Sequence, residues 1–333
     1  MRIAVTGSIA TDHLMVFPGR FTDQLIEGQL RHVSLSFLAD RLDVRRGGVA
    51  ANIAFGLGRL GLGPDPVLVG AVGVDFDFDG YRLWLKEHGV DTDSVHVSDT
   101  HHTARFVCTT DADHNQIATF YAGAMAEARR IDLATVAERT GGLDLVVVSP
   151  NDPEAMFGHT RQCRELGLPF AADPSQQLPR LDREQVRLLL DGADYLFGNA
   201  YEAALIQERS GWTEEQILAR VGTWITTLGA DGARIRRAGL SPLHVPAVPV
   251  PAADADDPTG VGDAFRAGFL AATSRGLTTE DAARLGCALA SLALEATGPQ
   301  EYTVDRALLA ARLHAGYGEQ TAARIAPYLA RTP

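Results

Sequence analysis

The sequence predicts an α/β fold with a doubly wound, mostly parallel sheet flanked by helices and a small β-sheet lid. From residue 126 onward, short apolar runs of strand length alternate with longer helical patterns, which is typical of parallel sheets. Earlier in the chain, several segments alternate polar and apolar residues, as strands with one wet face do. We therefore expect two domains, a core of residues 1–11, 46–94 and 126–333 and a lid of residues 12–45 and 95–125.

The composition is that of a globular protein, because 46% of the 333 residues are apolar and 22% are charged. The net charge of −12 argues against nucleic acid or an anionic membrane as the partner. Cys108, Cys163 and Cys287 are few, odd in number and far apart, so no disulfide framework is expected. No segment reaches the ~20 apolar residues of a membrane span, and the chain starts with a strand pattern instead of a signal peptide. We expect a cytoplasmic protein.

The first strand is predicted at residues 3–5, and polar residues follow it. Ser8 and Asp12 come where ligands bind in α/β sheets, beyond the carboxyl end of a strand. An aspartate there can accept hydrogen bonds from two vicinal hydroxyls of a sugar. A solvated turn aspartate explains Asp12 equally well.

The lid strands are predicted at residues 31–38 and 42–45 and in a hairpin of residues 105–110 and 116–121. Phe106 and Phe120 lie in this hairpin, and their rings could stack on a flat base. A phenylalanine in a hairpin is more often a core residue, so this alternative stays open.

Two adjacent glycines, Gly47 and Gly48, permit close approach of the backbone and precede a predicted helix. Asn52 lies one turn into that helix and can both donate and accept hydrogen bonds. Either ligand contact or close packing of the helix on the sheet explains the pattern.

Residues 56–61 match G-x-G-x-x-G, the dinucleotide-binding fingerprint. That fingerprint needs a strand before it and a helix after it, whereas these glycines close a helix and precede a strand. We reject the dinucleotide interpretation.

Asp75, Asp77 and Asp79 alternate along the chain as metal ligands sometimes do. An EF-hand loop also needs a later glutamate ligand, which is missing here. A solvated loop is the better prediction for this segment.

Polar residues follow three further predicted strands. Gln176 and Gln177 could bind the edge of a base, or could be solvated loop residues. Asn199 and Glu202 have the spacing of a helix capping box. Residues 224–233 are predicted as a strand, a glycine turn and a second strand, for which a plain hairpin is an adequate explanation.

Residues 257–265, with the sequence Asp-Pro-Thr-Gly-Val-Gly-Asp-Ala-Phe, form a glycine-rich turn that leads into a helix. Such a turn binds anions, because unpaired amides and the helix dipole point at one place. Asp263 lies in this anion site, where a carboxylate is best explained as a base for an alcohol that attacks a phosphate. Capping of the helix is the alternative role for Asp263.

This nine-residue stretch resembles the C-terminal signature of the ribokinase-like (PfkB) carbohydrate and nucleoside kinases. The usual family form has Thr where Pro258 stands and Ala where Val261 stands, and both glycines and Asp263 are kept. The residues around Gly47 and Gly48 resemble the N-terminal signature of the same family. The chain as a whole is most similar to the adenosine kinases of actinobacteria.

The resemblance implies a ribokinase-like fold and assigns expected roles to the residues above. It implies that Asp12, Gly47, Gly48 and Asn52 contact the sugar, and that Phe106 and Phe120 sandwich adenine near Gln176 or Gln177. It implies that Asn199 and Glu202 order Mg²⁺ through water beside the phosphates. It implies that Thr227, Gly229 and Gly232 contact ATP, and that Asp254 is a candidate for a monovalent cation such as K⁺.

From these features we predict ATP-dependent phosphorylation of the 5′-hydroxyl of adenosine, a purine salvage reaction that yields AMP and ADP. Asp263 is the predicted general base, and the amides of Gly260, Val261 and Gly262 are the predicted anion hole. The alternatives are a ribose or fructose kinase and a catalytically silent nucleoside-binding protein. A homodimer formed through exposed edges of the lid stays open.

Overall fold

The computed structural model describes residues 1–25, 34–251, 253, 255 and 257–329, with the backbone alone for residues 76–79. The described strands, in chain order, are β1 Ile3–Thr6, β2 Ala10–Val16, β3 Arg41–Gly47, β4 Val67–Val69, β5 Ala71–Gly73, β6 His96–Ser98, β7 Ala104–Thr110, β8 Gln116–Tyr121, β9 Leu145–Val148, β10 Phe170–Ala172, β11 Tyr195–Asn199, β12 Thr223–Thr227, β13 Ala233–Arg236 and β14 Leu243–Val245.

The α-helices of the same residues, again in chain order, are α1 Phe21–Gln24, α2 Val49–Leu60, α3 Phe76–Glu87, α4 Leu133–Thr140, α5 Pro153–Leu166, α6 Arg183–Leu190, α7 Ala200–Ser210, α8 Glu214–Leu218, α9 Val261–Ser274, α10 Thr279–Leu294, α11 Arg306–Tyr317 and α12 Glu319–Leu329. Short 3₁₀ turns at Gly123–Arg130, Ser175–Arg180 and Gly229–Asp231 connect several of them.

The large sheet has eight strands in the order β14-β13-β12-β11-β10-β9-β1-β4. The six strands from β12 to β4 are parallel, whereas β13 and β14 are antiparallel additions at one edge. The chain reverses direction across the sheet at β1, as in doubly wound folds. The predicted mostly parallel sheet flanked by helices is confirmed.

Alternation along each strand builds two cores, one on each face of the large sheet. In β11, Phe197 belongs to the core formed with α2, α9 and α10, whereas Leu196 belongs to the core under α4 to α8. Successive side chains of a strand point to opposite faces, so a strand buried on both sides is apolar throughout. These two cores hold the carboxyl ends of the parallel strands in fixed positions.

The small sheet has four strands in the order β3-β2-β7-β8. Strand β2 is parallel to β7, and the other two pairs are antiparallel. The predicted hairpin is confirmed as β7 and β8, and the predicted strand at residues 42–45 is part of β3. Asp12 lies in the middle of β2 and not in a turn after the first strand.

The predicted strand at residues 31–38 is wrong in its described part. Residues 31–33 lie outside the described residues, and residues 34–38 belong to no strand. Phe37 instead packs against Phe17 and Phe21, with ring centroids 5.1 and 4.9 Å apart. An apolar residue in an alternating pattern can therefore be buried in an aromatic cluster without the segment pairing as a β-strand.

Asp75 is not part of a solvated loop, and that prediction is wrong for this residue. Its side chain is 8% exposed and forms an ion pair of 2.9 Å with Arg105. The hydroxyl of Thr103 also donates to Asp75 Oδ1 over 2.6 Å. These contacts lower the pKa of Asp75, although burial opposes them. The side chains of residues 77 and 79 lie outside the described part.

The G-x-G-x-x-G match belongs to a helix, as the sequence predicts. Gly56 and Gly58 lie inside α2, and Gly61 ends it. No helix among the residues that the structure describes is both long and apolar enough to cross a membrane.

Candidate active site

Two cavities meet at the carboxyl ends of the parallel strands. The first has a volume of about 440 Å³ and lies between the four-stranded sheet and the large sheet. The second has a volume of about 750 Å³ and extends along α9 toward β12 and the turn after it. Val49, Gln176 and Asp263 line both cavities. Asp263 therefore stands where the contents of the two cavities would meet.

Nearly all residues predicted to contact the nucleoside line the first cavity. These residues are Ser8, Asp12, Gly48, Asn52, Phe106, Phe120, Gln176 and Gln177, together with Gly260 and Asp263 from the signature. Gly47 lies beside them, and a Cβ at this glycine would come within 2.8 Å of Asp12 Oδ2. The glycine thus lets the carboxylate of Asp12 lie against the backbone of β3.

Asp12 lies at the junction of the two sheets in an environment that favours its neutral form. Burial raises the pKa of Asp12 to about 6; the positive charge of Arg45 opposes this rise, and the negative charge of Asp257 adds to it. Arg45 Nη1 lies 2.6 Å from Asp257 Oδ2. This ion pair joins the small sheet to the turn before α9, next to Asp12.

Phe106 and Phe120 are directly opposite each other in the register of β7 and β8. Directly paired residues of an antiparallel ladder project from the same face of a sheet. Both rings therefore belong to one wall of the first cavity. A flat ring bound in this cavity can lie against that wall.

The two glutamines differ in their surroundings. Gln177 is 8% exposed, and its Nε2 donates to the carbonyl of Asn151 over 2.9 Å. Gln176 is exposed and lines both cavities. The amide of Gln177 is therefore buried and anchored through its nitrogen, whereas Gln176 lies between the two cavities.

Asp263 is the third residue of α9, and the N-cap position is Gly260 with φ of 79°. The carboxylate accepts a hydrogen bond of 2.8 Å from Asn52 Nδ2. Asp263 is therefore not the N-cap of its helix. The amides at the start of α9 lack intrahelical partners, as they do in every helix, so the N-terminus next to Asp263 can bind an anion.

Burial raises the pKa of Asp263 to about 6, while Arg266 and the hydrogen bond from Asn52 oppose the rise. Arg266 is itself buried and forms an ion pair with Asp173, with Nε and Oδ2 2.6 Å apart. The carboxylates of Asp173 and Glu202 also raise the pKa of Asp263. A base with a pKa near 6 is ionised at neutral pH and keeps an affinity for a proton.

Gly260 has a steric reason to be glycine. A Cβ at this position would lie 2.3 Å from Cβ of Pro299, and its φ of +79° is one that side-chain-bearing residues rarely adopt. The turn therefore packs directly on residue 299 and holds the start of α9 at the first cavity.

Most residues predicted to contact ATP and Mg²⁺ line the second cavity, whereas Gly260 lines the first. Those of the second cavity are Asn199, Glu202, Thr227, Gly229, Gly232, Val261 and Gly262. The predicted capping box is present, because Asn199 Oδ1 accepts from the amide of Glu202 and Glu202 Oε2 accepts from the amide of Asn199. Burial raises the pKa of Glu202. Asp254 lies outside the described residues.

Several residues of the site are absent from the predicted set. Arg45 and Asp257 pair beside Asp12, Arg266 and Asp173 pair beneath Asp263, and Gln300 donates to Asn52. Asp257 is the first residue of the signature and Arg266 directly follows it, so the motif itself is a local signal for both. The partners of these residues lie far away in the chain, so no spacing in the sequence indicates them.

The chain has extensive similarity to known kinases. A nucleoside kinase of Methanothermobacter thermautotrophicus is 34% identical over 275 residues, which is 82% of this chain and 85% of the relative. The solved structure of Burkholderia thailandensis nucleoside kinase in complex with inosine is 34% identical, covers 95% of this chain and 98% of its own, and has a TM-score of 0.81.

A ribokinase of Thermotoga maritima shares the fold, with a TM-score of 0.75 at 24% identity and coverage of 94% of this chain and 99% of its own. The fold is ribokinase-like. Residues 7–306 match the family described as pfkB family carbohydrate kinase. Because that match extends over most of the chain and includes the Asp263 turn, the chain belongs to the pfkB family of carbohydrate kinases.

Proposed function

We propose that this kinase transfers the γ-phosphate of ATP to the 5′-hydroxyl of a nucleoside, with adenosine as the expected substrate and AMP and ADP as products. The observation that carries the proposal is that Asp263 lines both cavities. A base at that junction contacts an acceptor alcohol on one side and a phosphate on the other. Relatives named nucleoside kinases, one of them in complex with inosine, support the substrate class.

In the proposed reaction, the carboxylate of Asp263 removes the proton of the 5′-hydroxyl as the alcohol oxygen bonds to the γ-phosphorus. The bond from that phosphorus to the bridging oxygen of ADP breaks. Amides of Gly260, Val261 and Gly262 stabilise charge on the transferring group, because they lie at the start of α9. Positioning and electrostatic stabilisation supply most of the acceleration of phosphoryl transfer.

Sugar recognition in this proposal rests on Asp12, Gly48 and Asn52. The carboxylate of Asp12 accepts hydrogen bonds from the two ribose hydroxyls, and binding of those donors favours its ionised form. The base lies against Phe106 and Phe120, and the amide of Gln177 contacts its edge. The glycines and Thr227 of the second cavity contact ATP.

The residues of the second cavity fit Mg²⁺. Glu202 offers one carboxylate whose Oε2 is held by an amide, and Mg²⁺ binds through one or two carboxylates, phosphates and retained waters. Among the described residues, no group of three or more His, Cys, Asp or Glu side chains could hold a metal by itself. When bound, Mg²⁺ neutralises charge on the phosphates of ATP.

We also infer that residues 12–45 and 95–125 act as a lid. The four-stranded sheet roofs the first cavity, and its exclusion of water would suppress transfer of phosphate to water. Edge strand β3 of this sheet exposes Leu42 and Val44, at 58% and 52%, so pairing of two copies along this edge is the expected dimer. The dimer is tested by comparing the sedimentation of the purified protein with that of a Leu42→Glu variant.

The decisive experiment measures ADP release with adenosine, guanosine, inosine, cytidine and ribose in parallel at fixed ATP and Mg²⁺. Phosphorylation of adenosine with ribose at least a hundredfold poorer is the expected result. Preferred phosphorylation of free ribose would make the chain a sugar kinase instead. Tight binding of nucleosides with no ADP release would make it a silent nucleoside-binding protein.

A further inference from the structure

We propose that Gln300 and Tyr81 are positioning residues that aim the N–H of Asn52 at Asp263. The inference rests on the proposed function, in which Asp263 is the base. It assigns a role to two side chains that lie outside the signature and line neither cavity.

A line of four hydrogen bonds carries the inference; three of them are buried, and the one from Asn52 to Asp263 is partly buried. Tyr81 OH donates to the carbonyl of Gly47 over 2.9 Å. Gln300 Nε2 donates to Tyr81 OH and, over 2.9 Å, to Asn52 Oδ1. Asn52 Nδ2 then donates to Asp263 Oδ2 over 2.8 Å. The line runs from the glycine pair at the sugar site to the base.

The direction of every bond in this line follows from the carbonyl at its start. A carbonyl oxygen can only accept, so the one proton of the Tyr81 hydroxyl goes to Gly47. The hydroxyl oxygen must then accept, which requires the nitrogen of the Gln300 amide to face it. The second proton of the same nitrogen faces Asn52, so Asn52 presents its oxygen to Gln300.

This leaves the nitrogen of Asn52 facing Asp263. An asparagine amide is nearly symmetric in shape, and only its hydrogen-bond partners decide which end faces which group. Without Gln300 the oxygen of Asn52 could face the carboxylate, and two acceptors would repel. Gln300 Oε1 has no partner among the described residues, so the two donor contacts set the orientation of this amide.

The consequence is a more acidic and better oriented base. A hydrogen bond donated to a carboxylate favours its ionised form and lowers its pKa. The other charged groups facing Asp263 are Arg266 of α9, Asp173 beyond β10 and Glu202 of α7. In the described part of the chain, neither Gln300 nor Tyr81 shares a hydrogen bond or ion pair with these three, so Asn52 is the group through which either one acts on Asp263.

The test uses Gln300→Met, which keeps the length of the side chain, and Tyr81→Phe, which removes one oxygen. Tyr302→Phe is the matched control: Tyr302 is buried near Asp263, and its hydroxyl has no hydrogen-bond partner among the described residues. The pH profile of kcat/KM for adenosine is measured from pH 5 to 8. The pH dependence of the free energy of unfolding is measured over the same range.

We expect the acidic limb of Gln300→Met to move upward by about one pH unit, the scale of a hydrogen bond to a charged group. Tyr81→Phe moves it in the same direction, and Tyr302→Phe leaves it unchanged. Relative to wild type, the free energy of unfolding of Gln300→Met falls as the pH rises from 6 to 7. In that range Asp263 of the folded variant still holds a proton that the unfolded chain has lost.

An acidic limb that stays in place in Gln300→Met, or an equal shift in Tyr302→Phe, overturns the inference. If Gln300→Met does not fold, Tyr81→Phe carries the test, and an unmoved limb there has the same meaning. If wild type releases no ADP with any nucleoside, the proposed function fails. The unfolding measurement then decides the positioning role by itself.

Discussion

Asn52 and Asp263 are 211 positions apart in the chain, and their side chains share a hydrogen bond of 2.8 Å. The bond joins the helix that follows the glycine pair to the helix that follows the signature turn. Asn52 lines the first cavity, and Asp263 lines both cavities. The packing of two helices therefore brings the lining of the first cavity into contact with the proposed base.

Replacement of the base should abolish most of the turnover. We expect Asp263→Asn to lower kcat by about 10²–10⁴-fold, the scale on which a general base contributes. Asparagine keeps the shape, so the affinities for adenosine and ATP measured by calorimetry should stay within a few-fold of wild type. Turnover near the wild-type value would remove Asp263 from the mechanism.

Asp12 should determine recognition of the ribose hydroxyls. We expect Asp12→Asn to raise KM for adenosine by about 10–100-fold, since a hydrogen bond to a charged group contributes ~1.5–3 kcal/mol. The preference for adenosine over 2′-deoxyadenosine should shrink in the same variant, because one of the two acceptor contacts belongs to the missing hydroxyl. An unchanged preference would place the sugar elsewhere.

The reaction should slow in acid because two carboxylates lose their charge. Burial raises the pKa of both Asp263 and Asp12 to about 6, so both are protonated below that pH. We expect log kcat/KM for adenosine to fall with a slope approaching two below pH 6. Asp12→Asn removes one titration, and its slope should approach one. A flat profile down to pH 5 would contradict both assignments.

The signature turn should tolerate no side chain at Gly260. An added Cβ would meet Pro299 at 2.3 Å and adopt a φ of +79°. We expect Gly260→Ala to lower the free energy of unfolding by about 2–4 kcal/mol. This is the combined cost of overpacking and of a left-handed conformation at a residue with a side chain.

Gly276→Ala is the matched control for the turn. Gly276 has a φ of +75° with open space around the added Cβ, so only the conformational cost of about 1–2 kcal/mol applies. Urea denaturation of both variants measures the difference. Equal losses in the two variants would mean that contact with Pro299 is unimportant.

The buried ion pair beneath the base should matter for stability. Arg266→Met leaves the carboxylate of Asp173 buried without its partner, and such a loss costs about 3–5 kcal/mol. Lys86→Met breaks a pair with Asp93 whose side chains are 47% and 62% exposed, and should cost less than about 1 kcal/mol. Similar thermal shifts in the two variants would show that the buried pair contributes little.

Much of the fold could be predicted from local patterns. The predicted hairpin of residues 105–110 and 116–121 matches β7 and β8 to within one residue, and the strand–turn–strand predicted at residues 224–233 overlaps β12, the turn after it and the start of β13. Apolar periodicity reports which face of an element is buried, and glycine or a capping residue reports where it ends. The strand predicted at residues 31–38 is wrong for residues 34–38, where Phe37 packs on two other aromatic rings.

The sequence by itself determined the family, the order of strands and helices, and the residue types at the strand ends that meet in the two cavities. Only the tertiary structure decided which of those side chains touch. The pairing of Arg45 with Asp257 and the line from Gly47 to Asp263 join residues from opposite ends of the chain. Hydrogen bonds form between groups that are close in space. The spacing of residues along the sequence does not indicate contacts that arise only when sheets and helices pack together.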